Sequence, residues 1–236
     1  MLRTIGMVLY VAGYMICALP GLLHAKLLEK NPEKHDAFCR KKIVQFARRC
    51  LRLTGMELEI RGLEQIPEEA TLTVYNHQSY LDIFVLIAYM PNTHSMVAKK
   101  ELEHIPLLSA WMRAGHCLFI DRSSPRAGLL CINRAAALLQ NGVNVTIAPE
   151  GTRSKGGPIK EFKGGAFKIA VKAGAPVLPV AIDGTYKLYE GNGNRLRPGR
   201  VTLTVLPPIP TRGLTKEEQK ALPGMVEQQI RKIVEE

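Results

Sequence analysis

Residues 71–88 read TLTVYNHQSYLDIFVLIA, which is a short apolar run, a polar turn and a longer apolar run. The first run has the length and composition of a buried strand, and the run that follows Asp82 has those of a buried helix. A strand joined to a helix by a short turn is the building unit of α/β sheets. The turn also contains His77, so this stretch bears on both the fold and the chemistry.

His77 and Asp82 are candidates for a catalytic pair. A neutral imidazole is well suited to moving a proton near pH 7, and a carboxylate can hold one ring nitrogen while the other acts as a base. On one continuous helix, five residues turn about 500°, which would place the two side chains on different faces. The pair therefore meets only if His77 lies in the turn and Asp82 in the first turn of the helix.

The same turn has a purely structural interpretation. Ser79 and Asp82, three residues apart before an apolar run, fit a capping box that satisfies the first amides of a helix. The two interpretations are compatible, because a carboxylate at the start of a helix can cap the helix and orient a histidine together.

From Met56 onward, strand-length apolar runs alternate with longer helical patterns. This alternation predicts an α/β fold, with a mixed, largely parallel sheet and helices on both faces. The predicted strands are 56–61, 71–75, 95–98, 117–120, 143–148, 177–182 and 201–206. The predicted helices are 82–90, 107–114, 126–141 and 165–173, and one or two surface helices over 215–236 that break near Pro223 and Gly224.

The first 54 residues differ from the rest and are predicted to be a membrane-anchoring segment, separate from a catalytic domain at 55–236. They hold a surplus of seven positive charges, out of a net +11 for the chain. Residues 4–23 are 20 consecutive uncharged residues, the length needed to cross a bilayer, although Pro20 and three glycines weaken a straight helix. A cleaved signal peptide and a buried soluble helix are the alternatives for this run.

Residues 35–54 have apolar side chains at helical spacing and six basic side chains, which predicts a basic amphipathic helix at an anionic membrane surface. An ordinary helix with a solvated charged face is the alternative. A basic segment after the apolar run indicates the cytoplasmic face of the cell membrane. Nucleic acid is not an expected partner, because the aromatic residues Phe38 and Phe46 fall on the apolar face.

The five cysteines are far apart and form no C-x-x-C pair, so we expect reduced thiols in a cytosolic setting, without a zinc site or disulfides. Several enzyme classes lack their motifs here. The chain contains no G-x-x-x-x-G-K-[ST] phosphate loop, no G-x-G-x-x-G dinucleotide loop and no G-x-S-x-G nucleophile elbow.

Basic side chains recur where predicted strands end. Lys99 and Arg122 each follow a strand, as does the run PEGTRS at residues 149–154. Ligands bind at such strand ends in open α/β sheets. Within PEGTRS, Gly151 permits close approach of a ligand to the backbone, and Arg153 offers the planar fork that binds phosphate.

Four stretches in this order resemble the glycerophospholipid acyltransferases, most closely the 1-acyl-glycerol-3-phosphate acyltransferases. They are N-H-x-x-x-x-D at Asn76–Asp82, a second motif from Lys99 to Arg122, PEGTRS at 149–154 and a proline-rich strand at 175–182. The resemblance covers about half of the chain. Two neighbouring positions differ from the family pattern: Ala148 stands where a Phe is usual, and Ser109 where a Gly is common.

The resemblance implies transfer of an acyl group from acyl-CoA or acyl-carrier-protein to the sn-2 hydroxyl of 1-acyl-glycerol-3-phosphate, which gives phosphatidic acid. It implies His77 as the base, Asp82 as its partner, and Lys99, Arg122 and Arg153 as phosphate ligands. Glu150, Gly151 and Thr152 are implied to bind substrate, the first two by placing the glycerol. It implies no metal and no bound cofactor. The alternatives are a related acceptor, such as glycerol-3-phosphate or another lysophospholipid, and a non-catalytic lipid-binding protein.

Overall fold

The computed structural model describes residues 1–91, 94–121 and 123–235. In these ranges, seven strands form one sheet with the spatial order β1-β7-β6-β2-β5-β3-β4. All neighbouring pairs are parallel except β6 and β7, so the sheet is mixed and largely parallel, as predicted. The strands are β1 Met56–Arg61, β2 Leu72–Tyr75, β3 His94–Lys99, β4 Leu118–Ile120, β5 Asn144–Ile147, β6 Val177–Asp183 and β7 Gly199–Val205.

Helices connect the strands and precede the sheet. They are α1 Leu2–Cys17, α2 Leu19–Leu28, α3 Pro32–Thr54, α4 Leu81–Tyr89, α5 Pro106–Ala114, α6 Pro125–Gln140, α7 Gly164–Ala173, α8 Thr185–Leu188 and α9 Lys216–Val234. Short 3-10 turns lie at Leu63–Gln65, Lys100–His104 and Glu190–Asn192. Of these elements, α8 and the 3-10 turns were not predicted.

Two apolar clusters cover the two faces of the sheet. On one face, buried side chains of α3 and α4 such as Leu51 and Val85 pack with Ile182 of β6. On the other, buried side chains of α6, α7 and α9 pack with strand residues, for example Phe167 with Val74. The predicted placement of helices on both faces is therefore confirmed.

The N-terminal apolar run forms two helices, not one. The helices α1 and α2 meet at Ala18 with a bend of 45°. Pro20 lies in the first turn of α2, where its missing N–H costs nothing, whereas within one longer helix it would remove a hydrogen bond. Among the described residues, no single helix has the length and apolar character of a membrane span, and the bent pair meets those criteria only in combination.

The helix α3 confirms the predicted amphipathic helix and starts three residues earlier than expected. Asn31 caps it by accepting the amide N–H of Lys34 at 3.2 Å, and Gly55 ends it with a φ of 75°. Its apolar face belongs to the main core, where Ala47 and Leu51 are buried beside α4. The first 54 residues thus contribute directly to the packing of the α/β unit.

The prediction of surface helices broken near Pro223 was wrong. The C-terminal helix α9 runs without interruption through Pro223, after a capping box formed by Thr215 and Glu218. Its side chains Leu222, Val226 and Ile230 are fully buried in the core. Burial of this apolar face outweighs the loss of one backbone hydrogen bond at the proline.

The sheet order places the predicted motifs together. The strands β6, β2, β5 and β3 are consecutive neighbours and run parallel. Their carboxyl ends therefore share one edge, and the segments that leave those ends carry His77, Arg153, Thr185 and Lys99.

Candidate active site

Asn76 fixes the point at which the chain leaves β2. Its side chain is fully buried, and its amide donates to the carbonyl of Ile182 while its carbonyl accepts the N–H of Ile182, both at 2.8 Å. The Asn76 side chain thus makes the two hydrogen bonds to Ile182 of β6 that the backbone of a neighbouring strand would otherwise make. The main chain is released from the sheet, and the next residue, His77, begins the turn above the sheet edge.

His77 and Asp82 are in direct contact, as the sequence predicted. The Nδ1 of His77 lies 2.8 Å from Oδ2 of Asp82, and the carboxylate is fully buried. Because a carboxylate accepts hydrogen bonds, Nδ1 carries the ring proton and Nε2 is left as the basic nitrogen of the neutral imidazole. The same Oδ2 accepts the amide N–H groups of Gln78 and Ser79, at 2.7 and 2.9 Å.

The predicted capping box of Ser79 and Asp82 is formed only in part, because the N-cap of α4 is Tyr80 and makes no side-chain cap hydrogen bond. The helix α4 begins at Leu81, whose N–H is bound by the hydroxyl of Ser79 at 3.1 Å, while the Asp82 carboxylate binds the N–H of Ser79. Asp82 therefore holds both the histidine and the backbone of the turn that precedes the helix, while the Ser79 hydroxyl binds the first amide of the helix.

Glu150 holds the main chain at His77 through hydrogen bonds of its carboxylate. Its Oε1 accepts the N–H of His77 at 2.7 Å, its Oε2 accepts the N–H of Lys160 at 3.0 Å, and the side chain is 2% exposed. Burial raises the pKa of the Glu150 carboxyl, and the two amides oppose that shift. The N–H of Ser154 donates to the carbonyl of His77 at 2.7 Å, so both backbone groups of His77 are held by the 149–154 loop.

Gly151 and Thr152 border the cavity described below. Gly151 has a φ of 74°, and a Cβ at this position would lie 2.9 Å from Nζ of Lys163. The ammonium group of Lys163 therefore packs directly against the Gly151 backbone. A side chain here would combine an unfavourable left-handed conformation with displacement of that lysine.

Arg153 is fixed by two neighbours, and one of them was missed by the sequence analysis. Its Nη1 lies 2.6 Å from Oε1 of Glu190, and its guanidinium lies 3.6 Å from the centre of the Tyr80 ring. Glu190 begins the 3-10 turn that follows α8, a segment for which the sequence predicts no element and no role. Its position shortly after the carboxyl end of a central strand is the signal that could have identified it.

Thr185, which the sequence did not predict as a site residue, also binds Asp82. Its hydroxyl donates to Oδ1 of Asp82 at 2.5 Å. The buried carboxylate thus accepts hydrogen bonds from His77, Gln78, Ser79 and Thr185, which together fix its plane.

Lys99 and Arg122 were the other predicted phosphate ligands. Lys99 ends β3, borders the cavity and is 57% exposed, with Glu101 at 3.9 Å. An exposed pair at this distance is weak, so the ammonium can turn to another anion. Arg122 lies outside the described residues.

A cavity of about 970 Å³ opens beside these groups, at the upper end of the size range of ligand sites. Polar side chains of the site, among them His77 and Arg153, border it, and so do Arg40 and Lys42 of α3. The rest of its wall is mainly apolar and comes from α1, α3, α4, β3 and α5: Val11, Met15, Ile43, Phe46, Ile83, Phe84, Ile87, Val97, Leu107, Leu108, Trp111 and Met112.

The cysteine that borders the cavity does not offer a nucleophile. All five cysteines are free, and Cys117 borders the cavity. Burial raises the pKa of the Cys117 thiol to about 11, so it stays protonated at neutral pH. Among the described residues, no three His, Cys, Asp or Glu side chains are grouped as metal ligands.

Comparisons with known proteins agree on one family. The family model described as Acyltransferase matches residues 57–183. A chloroplastic 1-acyl-sn-glycerol-3-phosphate acyltransferase of Brassica napus is 37% identical over 154 residues, which are 64% of this chain and 44% of that protein. The 1-acyl-sn-glycerol-3-phosphate acyltransferase alpha of Homo sapiens is 35% identical over 178 residues, which are 74% of this chain and 62% of that protein.

A solved structure extends the match to the whole fold. The crystal structure of the 1-acyl-sn-glycerophosphate acyltransferase PlsC from Thermotoga maritima superimposes with a TM-score of 0.84 and 30% identity, covering 99% of this chain and 95% of that chain. By contrast, the chain spans only about half to three fifths of the length of the two curated relatives. The family model covers more than half of the chain and the solved relative is matched along nearly its whole length, so this chain belongs to the 1-acyl-sn-glycerol-3-phosphate acyltransferase family.

Proposed function

We propose that this protein transfers an acyl group from an acyl thioester to the sn-2 hydroxyl of 1-acyl-sn-glycerol-3-phosphate, and so makes phosphatidic acid. The observation that carries the proposal is the contact of His77 with the buried Asp82 at the border of a large apolar cavity. A base beside such a cavity suits a reaction between a hydroxyl group and an acyl chain carried as a thioester. The relatives named above support the identity of the acceptor.

In the proposed mechanism, Nε2 of His77 takes the proton of the acceptor hydroxyl as its oxygen attacks the thioester carbonyl. The C–O bond forms, the C–S bond breaks, and the imidazolium returns its proton to the departing thiolate. Asp82 keeps Nδ1 protonated and stabilises the imidazolium between the two steps. Thioester and alcohol thus become ester and thiol without an acyl-enzyme, in line with the protonated state of Cys117.

Arg153 is proposed to bind the phosphate of the acceptor. A phosphate monoester carries a charge of about −1.5 to −2 near pH 7, and a guanidinium binds it through two parallel hydrogen bonds. Lys99, the last residue of β3, and Arg122 are the further candidates. Lys163 is an additional cation at this site, because its ammonium packs against Gly151.

Glu150 is proposed to act through the main chain. Both of its oxygens are engaged by backbone N–H groups, including that of His77. It would thus set the position of the histidine, and Gly151 and Thr152 at the cavity border would be closer to the glycerol. This differs from the expectation that Glu150 itself places the glycerol.

The acyl donor is proposed to be acyl-CoA or acyl-carrier-protein, with its chain in the apolar cavity. Arg40 and Lys42 of α3 border the same cavity, and their positive charge suits anionic substrates. The sequence predicts a role in membrane binding alone for these two side chains.

The protein is further proposed to work on the cytoplasmic face of the cell membrane. Large apolar side chains of α1 and α2 are exposed, including Leu2, Leu9 and Ile16 at seven-residue spacing and Leu23 and Leu27 on α2. Such side chains suit a lipid surface, and the basic residues of α3 suit its anionic head groups.

The test is an assay of purified protein with acyl-CoA and acyl-carrier-protein donors against a panel of acceptors. The panel contains 1-acyl-glycerol-3-phosphate, glycerol-3-phosphate, a lysophospholipid with a larger head group, and a 1-acyl-glycerol without phosphate. We expect phosphatidic acid as the main product. Preference for another acceptor would reassign the substrate, and binding without transfer would indicate a lipid-binding protein.

A further inference from the structure

Glu190 lies outside all four sequence motifs, yet it joins the two loops of the candidate site. Its Oε1 accepts Nη1 of Arg153 at 2.6 Å and the N–H of Tyr80 at 3.0 Å. Its Oε2 accepts the hydroxyl of Ser79 at 2.6 Å, and the side chain is 9% exposed. One nearly buried carboxylate therefore links the turn that follows β2 to the loop that follows β5.

The guanidinium of Arg153 is held in two directions. The Tyr80 ring supports its face at 3.6 Å, and Glu190 fixes one edge through Nη1. An arginine has five N–H donors, so the donors on its other nitrogens can bind an anion while the contact with Glu190 persists. A long side chain fixed in this way loses less entropy when it binds phosphate.

The position of Glu190 relative to His77 makes this link functional. Ser79 and Tyr80 lie two and three residues after His77, in the same turn that ends at Asp82. A carboxylate that binds this turn and Arg153 together sets the distance between the phosphate ligand and the base. An acceptor with its phosphate on Arg153 then presents its hydroxyl at a defined place.

We propose that Glu190 is a positioning residue of the acceptor site, which fixes Arg153 so that a phosphorylated acceptor is held in register with His77. This proposal rests on the acyltransferase function proposed above. It assigns Glu190 to recognition of the acceptor, not of the acyl donor, because in the described part of the chain the hydrogen bonds of its carboxylate reach only Arg153, Ser79 and Tyr80.

The test compares Glu190→Ala and Glu190→Gln with wild type, alone and in the Arg153→Ala background. Loss of a hydrogen bond to a charged group changes a binding affinity by about tenfold to hundredfold. We expect Glu190→Ala to raise the KM for the acceptor by about that factor and to leave the KM for the donor within about twofold. Glu190→Gln keeps a carbonyl oxygen that can accept from Arg153, so its KM for the acceptor should lie between those of wild type and Glu190→Ala.

The double variant separates positioning from general structure. If Glu190 acts through Arg153, adding Glu190→Ala to Arg153→Ala should raise the acceptor KM by less than about twofold. Discrimination between 1-acyl-glycerol-3-phosphate and the unphosphorylated 1-acyl-glycerol should also fall in Glu190→Ala. Equal effects in both backgrounds, or equal increases in donor and acceptor KM, would overturn the proposal. Glu161→Ala, which removes an exposed carboxylate before α7, is the matched control and should behave as wild type.

A binding readout keeps this test independent of turnover. Trp111 is the single tryptophan of the chain and borders the cavity, so its fluorescence can report entry of the lipid. Titration with 1-acyl-glycerol-3-phosphate should give a Kd for Glu190→Ala that is at least about tenfold higher than that of wild type. If wild type binds this lipid but transfers no acyl group, the proposed function fails while this comparison still decides the role of Glu190. Unchanged affinity in both Glu190 variants overturns the inference, and Glu190→Gln alone decides it if the alanine variant does not fold.

Discussion

Thr185 donates its hydroxyl to Oδ1 of Asp82 at 2.5 Å, across 103 residues of the chain. The other carboxylate oxygen, Oδ2, receives the Nδ1 proton of His77 at 2.8 Å. Thr185 follows the central strand β6, whereas His77 and Asp82 flank the turn between β2 and α4. The orientation of the proposed base is therefore fixed by two neighbouring strands of the sheet, not by the turn alone.

Replacement of Thr185 by Val should lower kcat by about tenfold to hundredfold, because one hydrogen bond to a charged group is lost at nearly constant volume. Thr185→Ser keeps the hydroxyl and should retain most of the activity. Steady-state kinetics of the two variants checks this expectation. A valine variant with the kcat of wild type would show that Asp82 is held without Thr185.

Replacement of Arg153 by Ala should raise the KM for the phosphorylated acceptor by about tenfold to hundredfold, with a smaller effect on kcat. It should also reduce the free energy of unfolding by about 1–3 kcal/mol, because Glu190 is left without its cation. Arg153→Lys keeps the charge but loses the planar fork and the stacking on Tyr80. Its KM for the acceptor should therefore lie between those of wild type and Arg153→Ala. An unchanged acceptor KM in Arg153→Ala would remove Arg153 from the phosphate site.

Replacement of Ala148 by Phe should shift the donor preference towards shorter acyl chains. Ala148 borders the cavity, and a phenyl ring there would occupy part of the space proposed for the chain. The measurement is kcat/KM over a series of acyl-CoA donors of increasing length, with Ala148→Ser as the control of similar size. An unchanged length profile in Ala148→Phe would mean that the acyl chain lies elsewhere.

Replacement of Leu9, Ile16, Leu23 and Leu27 by Ser should weaken binding to anionic phospholipid vesicles by at least about a hundredfold, because each exposed leucine or isoleucine contributes about 1.5–3 kcal/mol when buried in lipid. Co-sedimentation with vesicles measures this effect. Leu129→Ser and Leu130→Ser on α6 remove exposed leucines elsewhere and serve as the control. These substitutions are a sharper test than deletion of residues 1–54, which would also remove Ala47 and Leu51 from the core.

The sequence was sufficient to predict the seven strands, the helices that join most of them, and the contact of His77 with Asp82. These features depend on local patterns: strand-length apolar runs, and a five-residue spacing that spans a turn and the first turn of a helix. The antiparallel pairing of β6 with β7 and the roles of Thr185 and Glu190 depend on which distant segments lie side by side. No local pattern reports that information.

Two errors have a common physical origin. The apolar N-terminal run was expected to be one helix and is bent at Ala18, before Pro20, whereas α9 was expected to break at Pro223 and does not. A proline weakens a helix by a similar amount in both places. The outcome differs because Pro223 itself is buried together with Leu222 and Val226, which hold the helix against the core, whereas Pro20 and Leu19 are exposed.

The central claim is that His77 is the base of a direct acyl transfer. The most direct measurement compares phosphatidic acid formation from acyl-CoA and 1-acyl-glycerol-3-phosphate by wild type, His77→Ala and the control His104→Ala, an exposed histidine. We expect kcat to fall by about 10²- to 10⁴-fold in His77→Ala and to stay near wild type in the control. Acceptor binding to His77→Ala, followed by Trp111 fluorescence, should remain within about threefold, since the general base contributes mainly to the transition state. Retention of more than about a tenth of the wild-type kcat by His77→Ala would contradict the claim.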